Sequence, residues 1–315
     1  MVGVTQSYSG ETKNELARLV PETRCCCAAE LSALLKLNGG LELAGRDHMT
    51  LTITTENAGI GRLAFKLFKK LFDFPVSVVI ESRRRLKTSK AYVVRAQLDR
   101  VHLEALRELG IMDTSYQLLY GIDSRVIEKP CCKRAFLRGV FLARGSVSKP
   151  ESAYHLEILF PNEEMARAAK KLGRSKGIRF HRTERKHSFV LYLKESEQIV
   201  DYLRLIGASY ALLEFENVRI FKSMKNQVNR IVNCETANLE KTLDASMRQT
   251  DLIRRLIDKV SVHGLPDHLR QLAILRLDYP DCSLKELGEM MSPPLTKSGV
   301  AYRMKKLEAL AERLL

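Results

Sequence analysis

Leu31-Ser-Ala-Leu-Leu-Lys-Leu-Asn-Gly39 and Leu137-Arg-Gly-Val-Phe-Leu-Ala-Arg-Gly145 are two versions of one stretch. Each follows a cysteine pair at the same offset, Cys25-Cys26 and Cys131-Cys132. Each is apolar with small residues interspersed, and each closes on glycine, a frequent helix terminator. Recurrence at a spacing of about one hundred residues marks an internal duplication, and the flanking sequence repeats with it.

Downstream of each helix an alternating segment reads as a half-buried strand, Leu51 to Thr55 in one copy and His155 to Leu159 in the other. A basic helical stretch follows, Arg62 to Lys70 and Met165 to Lys176. Two strand-like runs come next, Val76 to Glu81 with Tyr92 to Gln97, and Ile178 to Arg182 with Phe189 to Leu193. Each copy ends on a helix closing at Leu106-Arg-Glu-Leu-Gly110 or Leu203-Arg-Leu-Ile-Gly207. The pattern predicts an α+β domain, αββαββα written twice with antiparallel sheets, over residues 1–213 with repeats at about 25–111 and 131–212. An all-α region follows it.

The paired Gly-terminated helices resemble those of LAGLIDADG homing endonucleases, whose small residues let two helices pack closely at a pseudo-twofold axis. In that family an acid just before the final glycine holds divalent metal for phosphodiester cleavage, because hard cations take carboxylate oxygens. This sequence has Asn38 and Arg144 there, and Lys36 and Leu142 at the motif's other acidic position. The resemblance therefore implies a domain without catalytic residues, with an active metal-dependent endonuclease as the alternative. Glu30 and Glu42 read as solvated surface acids. Arg144 and Lys36 suit either a phosphate contact or a helix-end cation.

Lys plus Arg number 52 against 37 Asp plus Glu, a formal +15 that favours a polyanionic partner. Residues 213–315 hold 17 basic against 14 acidic side chains, so most of the excess sits in the duplicated region. Residues 62–100 hold 11 basic and 3 acidic side chains, and residues 167–194 hold 10 and 1. A sheet lined this way offers Arg83, Arg84, Arg85, Lys87, Arg182, Arg185 and Lys186 to a nucleic-acid backbone, or else these are solvated faces.

Beyond residue 213 the sequence predicts a linking helix over 214–250 and a helix-turn-helix over 251–315. In the linker, Asn226, Asn229, Arg230 and Asn233 form a polar stripe beside Val228, Ile231 and Val232, which makes Asn229 and Arg230 candidate DNA contacts or parts of a plain spacer. A helix from Pro266 to Leu277 presents Leu269, Leu272 and Ala273. Ser283-Leu-Lys-Glu286 is a capping box that starts a second, continued by Leu287 and Met290 or Met291. Ser292-Pro-Pro294 stops it, and Thr296 or Ser298 caps a third that ends near Leu314.

Steps of about 100° put Val300, Met304, Leu307 and Ala311 on one face of that third helix and Ser298, Tyr302, Lys305 and Lys306 on the other, flanked by Lys297 and Arg303. A helix with hydroxyls and cations outward suits the major groove. The DNA-contacting set is then Ser283, Lys285, Lys297, Ser298, Tyr302, Arg303, Lys305 and Lys306.

The order of parts, with Asn229-Arg-Ile-Val-Asn-Cys-Glu-Thr-Ala-Asn238, Ser283-Leu-Lys-Glu-Leu-Gly288 and Thr296-Lys-Ser-Gly299, resembles the WhiA family. That resemblance implies a non-enzymatic transcriptional regulator of bacterial cell division and chromosome segregation, and of sporulation in some lineages. Its expected partners are double-stranded DNA and proteins of transcription or division, with no cofactor and no small-molecule substrate.

Gly59-Ile-Gly61-Arg-Leu-Ala64 with Glu81 resembles a dinucleotide fingerprint and gives a second alternative, an NAD-binding oxidoreductase. Its preceding strand alternates with threonine where a buried parallel strand would be continuously apolar. A protein-binding platform is a third reading. Seven cysteines without a CxxC pair predict buried reduced thiols and no structural zinc. A polar N-terminus and the lack of a long apolar run predict a cytoplasmic protein at the nucleoid.

Overall fold

The computed structural model describes residues 7–44, 48–85, 87–185 and 188–314; the side chains of residues 43–44, 83–85 and 87–89 lie outside that description. Lys186 and the side chains of Arg83, Arg84, Arg85 and Lys87, all expected on a DNA-facing surface, fall outside it. The chain divides into two compact units, residues 1–222 and 223–315.

In the first unit α1 (Tyr8–Leu16) precedes two copies of one αββαββα arrangement. The first copy is α2 (Arg24–Asn38), β1 (Gly39–Ala44), β2 (His48–Thr55), α3 (Ala58–Leu71), β3 (Val76–Arg85), β4 (Lys87–Asp99) and α4 (Leu103–Glu108). The second is α5 (Pro130–Arg144), β5 (Gly145–Val147), β6 (Leu156–Phe160), α6 (Glu163–Arg174), β7 (His181–Arg185), β8 (Ser188–Leu193) and α7 (Ser196–Ile206). The sheets have equivalent orders, β1-β2-β4-β3 and β5-β6-β8-β7, with every pairing antiparallel. The duplicated α+β fold expected from the repeat is present.

Period-two burial places the helices on one face of each sheet. Leu51, Ile53 and Thr55 of β2 and Leu156, Ile158 and Phe160 of β6 point inward. They meet α3 through Ile60, Leu63, Ala64, Leu67 and Phe68, and α6 through Met165, Ala166 and Ala169. Strand β7 starts three residues later than the apolar alternation suggests, because Ile178 and Phe180 enter the core before pairing begins.

The duplicated helices α2 and α5 form the centre of the unit. A Cβ on Gly139 would stand 2.7 Å from the Glu30 carbonyl oxygen and 2.8 Å from the Ala33 Cβ, so glycine there sets the closeness of the helix pair. Glycines 39 and 145 end their helices without a left-handed turn. Both are extended (φ −100° and −76°) and pass straight into β1 and β5. They are glycine for want of space, since a Cβ would lie 2.4 Å from the Leu35 carbonyl oxygen or 2.3 Å from the Phe141 ring. Glu30 is also no surface acid. It is fully buried and accepts from Arg138 Nε and Nη2 at 3.0 and 2.5 Å, an ion pair between the repeats.

Helix α8 (Ser209–Val260) is continuous through the boundary at Lys222 and Ser223. In the second unit its last turns supply Ile253 and Leu256 to a core shared with α9 (Asp267–Asp278), α10 (Leu284–Met290) and α11 (Lys297–Leu314). The rest of that core is Leu265, Leu269, Leu272, Ala273, Leu287, Met291, Val300, Met304, Leu307 and Ala311, so Met291, not Met290, continues the apolar face of α10. No helix of the described residues is long and apolar enough to cross a membrane.

Candidate nucleic-acid interface

Local sequence builds the second unit's helix-turn-helix. Ser283 N donates to Glu286 Oε2 at 2.7 Å, while Ser283 Oγ accepts from Glu286 N at 3.4 Å, the reciprocal pattern of a capping box. The Thr296 hydroxyl accepts from Gly299 N at 3.3 Å and starts α11. Gly288 lets the turn close: Leu295 N donates to its carbonyl at 2.9 Å, and a Cβ there would stand 2.3 Å from the Leu295 oxygen.

The buried Arg276 holds the preceding turn. Its guanidinium donates to the Cys282 carbonyl at 2.6 Å and the Pro280 carbonyl at 3.3 Å, and burial lowers its pKa. A charged residue at an apolar heptad position gives no sign of this role in sequence, since its partners are loop carbonyls.

The two faces expected of α11, one exposed and one buried, are present. Ser298, Tyr302, Lys305 and Lys306 are exposed, with Lys297 beside them, and Lys306 Nζ lies 4.7 Å from the Tyr302 ring centroid. Three of the expected residues are otherwise engaged, Ser298 through a 3.0 Å hydrogen bond with the Thr296 hydroxyl. Arg303 donates to the His268 carbonyl at 3.1 Å, which ties α11 to α9, and Ser283 is committed to its cap. Lys285 is exposed with Glu289 at 3.9 Å, and Asn229 and Arg230 lie in an exposed stretch of α8.

In the first unit the pooled charge counts divide between two faces. Arg62, Lys66, Lys69 and Lys70 belong to α3, and Arg167, Lys170, Lys171 and Arg174 to α6, on the side of each sheet covered by helices. The open face of the first sheet carries Thr52, Arg95, Gln97, Ser77 and Glu81, with Arg95 paired to Glu81 at 3.5 Å. That of the second carries Glu157, Tyr192, His181, Thr183 and Arg185, with Arg185 3.7 Å from Glu157. Arg182, expected on this surface, turns instead to Glu163 at the start of α6. Among the described side chains, both Arg95 and Arg185 on these open faces have an acidic partner.

The ends of α2 and α5 meet at Asn38 and Arg144. Asn38 Nδ2 donates to the Ala143 carbonyl at 3.2 Å, and Arg144 Nε donates to the Leu37 carbonyl at 3.1 Å. Arg144 is thus a helix-end cation. Lys36 also serves structure, donating to the Leu119 carbonyl at 2.8 Å, with its pKa lowered to about 8 by burial.

A cleft of about 540 Å³ lies over these helix ends, lined among others by Lys13, Asn38, Glu56 and Arg144. Burial, and then the Arg144 charge, lower the Lys13 pKa to about 8. Sequence reading missed Lys13 because α1 lies outside the repeat. Two cations and one acid line the cleft, which repels a divalent metal.

The dinucleotide fingerprint fails on geometry. Asn57 Oδ1 already accepts from Gly59 N and Ile60 N at 2.8 and 3.1 Å, the amides a pyrophosphate would need. Strand β4 separates β2 from β3, so no adjacent parallel pair forms, and Gly61 makes room for the Tyr92 Cβ. The cysteines also depart from expectation. Cys131 and Cys234 are exposed, and the Sγ atoms of Cys25, Cys26, Cys131 and Cys132 all lie within 4.8 Å of one another.

Three family models match the chain in order: the WhiA N-terminal LAGLIDADG-like domain over residues 24–112, the WhiA LAGLIDADG-like domain over 133–225 and the WhiA C-terminal HTH domain over 228–311. A protein of Heliobacterium modesticaldum described as probable cell division protein WhiA is 48% identical over 306 residues, 97% of this chain and 96% of its own. The chain belongs to the WhiA family. A WhiA protein of Alkaliphilus metalliredigens, described in the same words, is 46% identical over 310 residues, 98% of both chains. Among solved structures, full-length DUF199/WhiA from Thermatoga maritima aligns over 98% of this chain and 99% of its own, with a TM-score of 0.60 and 26% identity. The WhiA fold therefore accounts for the whole order of elements.

Proposed function

We propose that the chain is a non-enzymatic regulator that binds double-stranded DNA through α11 and acts in transcription during cell division and chromosome segregation, with sporulation among its targets in some lineages. The outward face of α11 carries this reading: Ser298, Tyr302, Lys305 and Lys306 are exposed on a helix whose opposite face, Val300, Met304, Leu307 and Ala311, is buried. Cations and hydroxyls held on a rigid helix are suited to phosphate and base-edge contact. The name of the relatives supports the cell-division part, and a nucleoid location belongs to the same proposal.

Loss of nuclease chemistry is part of the same reading. The cleft over the helix ends offers Glu56 as its acid, against Lys13 and Arg144, which leaves a two-metal reaction without its ligands.

Mobility shifts across a salt series test the proposal. Replacing Tyr302, Lys305 and Lys306 together by Ala abolishes specific binding, and loss of the two cations lowers the salt slope by roughly two. Unchanged affinity and slope would remove α11 from the interface. Incubating duplex DNA with Mg²⁺ or Mn²⁺ leaves it intact, and chelator-sensitive cleavage would overturn the non-enzymatic reading.

A further inference from the structure

Cys25 and Cys26 are the second and third residues of α2, and Cys131 and Cys132 hold the same places in α5. Close packing of the two helices brings the four thiols into one group, every Sγ within 4.8 Å of the others and the Cys131 and Cys132 sulfurs 4.0 Å apart. A zinc ion with bonds of about 2.3 Å to four sulfurs spaces them about 3.8 Å apart, so small side-chain rotations close the group on a metal. We propose that these four cysteines form a structural zinc site that staples the two repeats at the N-terminal ends of α2 and α5.

Softness of the ligands selects the metal. Four thiolates in a tetrahedral set take zinc and reject the hard cations that carboxylates hold. Each site cysteine sits in the first turn of its helix, where the positive end of the backbone dipole favours thiolate. The Thr23 hydroxyl, 3.5 Å from Cys25 Sγ, borders the group. Binding converts four thiols and Zn²⁺ to a zinc tetrathiolate and releases the thiol protons to solvent.

The exposed Cys131 gives the ion a way in. Cys27, buried and donating to the Pro21 carbonyl, stands apart from the group. A disulfide would join two sulfurs at about 2.05 Å and leave the other pair unused, whereas zinc uses all four.

The test uses the full chain, reduced and stripped with chelator, titrated with Co²⁺ and then Zn²⁺. One equivalent of Co²⁺ is expected, with the intense ligand-field and sulfur-to-metal charge-transfer bands of tetrahedral thiolate coordination, displaced by Zn²⁺. Cys131→Ser and Cys25→Ser each weaken binding by roughly tenfold or more, and Cys282→Ser does not. Zinc raises the melting temperature of the parent and not that of Cys131→Ser, whose site is exposed enough for the variant to fold. Circular dichroism of each variant separates loss of metal from loss of fold. Absence of stoichiometric binding to the parent, or full affinity in the folded Cys131→Ser variant, overturns the proposal.

Discussion

Asn38 and Arg144 cap each other's helices: Asn38 Nδ2 donates to the carbonyl of Ala143, the residue before Arg144, and Arg144 Nε donates to the carbonyl of Leu37, the residue before Asn38. The exchange follows the pseudo-twofold relation of the repeats. Both side chains satisfy carbonyls that a helix end leaves without intrahelical partners. The exchange is therefore a stability device. Arg144→Ala is expected to cost about 1 kcal/mol, read as a lower urea midpoint at unchanged slope, since one hydrogen bond at a half-exposed site is lost.

Glu30 and Arg138 form the buried pair between α2 and α5, and removing one partner leaves the other charge without compensation. Arg138→Met should destabilise the first unit by about 3 kcal/mol, and adding Glu30→Leu should recover much of that, because an apolar pair of similar volume carries no desolvation cost. A double-mutant cycle by urea unfolding measures the coupling.

Burial pushes the Glu30 carboxyl up to about 7, partly opposed by its bond to Arg138 and by that residue's charge. The folded state then holds the Glu30 proton more tightly than the unfolded chain, where the carboxyl titrates near its ordinary value. Its contribution to stability is greatest below that ordinary value, falls as pH rises toward about 7 and levels off above. Glu30→Gln removes this component, so the two proteins' urea midpoints should change differently with pH across that window.

Gly288→Ala places a methyl group against the Leu295 carbonyl oxygen, backbone that has no room to yield. The turn between α10 and α11 must open, at about 1 to 3 kcal/mol. DNA affinity should fall although no candidate contact is altered, with circular dichroism reporting a lower melting temperature for the second unit.

Arg276→Met removes the donor to the Cys282 and Pro280 carbonyls while keeping most of the side-chain volume. The partly buried Cys282 carbonyl loses its partner, while that of Pro280 keeps the Ser246 hydroxyl, so a cost of about 1 kcal/mol is expected, with faster amide exchange across residues 279–287 than elsewhere in the unit.

Sequence alone determined what local rules encode. The duplication set the fold of the first unit because each αββαββα copy carries its own apolar periodicity. The capping box at Ser283 and the two faces of α11 were legible because caps and helical spacing involve residues a few positions apart. Tertiary structure decided which distant residues meet. It turned Glu30 from a surface acid into a buried partner of Arg138, sent Arg182 to Glu163 and assigned Arg303 to a helix-helix bond. It also split the basic counts between helices and open sheet faces, since a tally along the chain does not record direction. Two vicinal cysteine pairs lack the spacing of a metal motif, and became a group of four only when the repeats packed through Gly139.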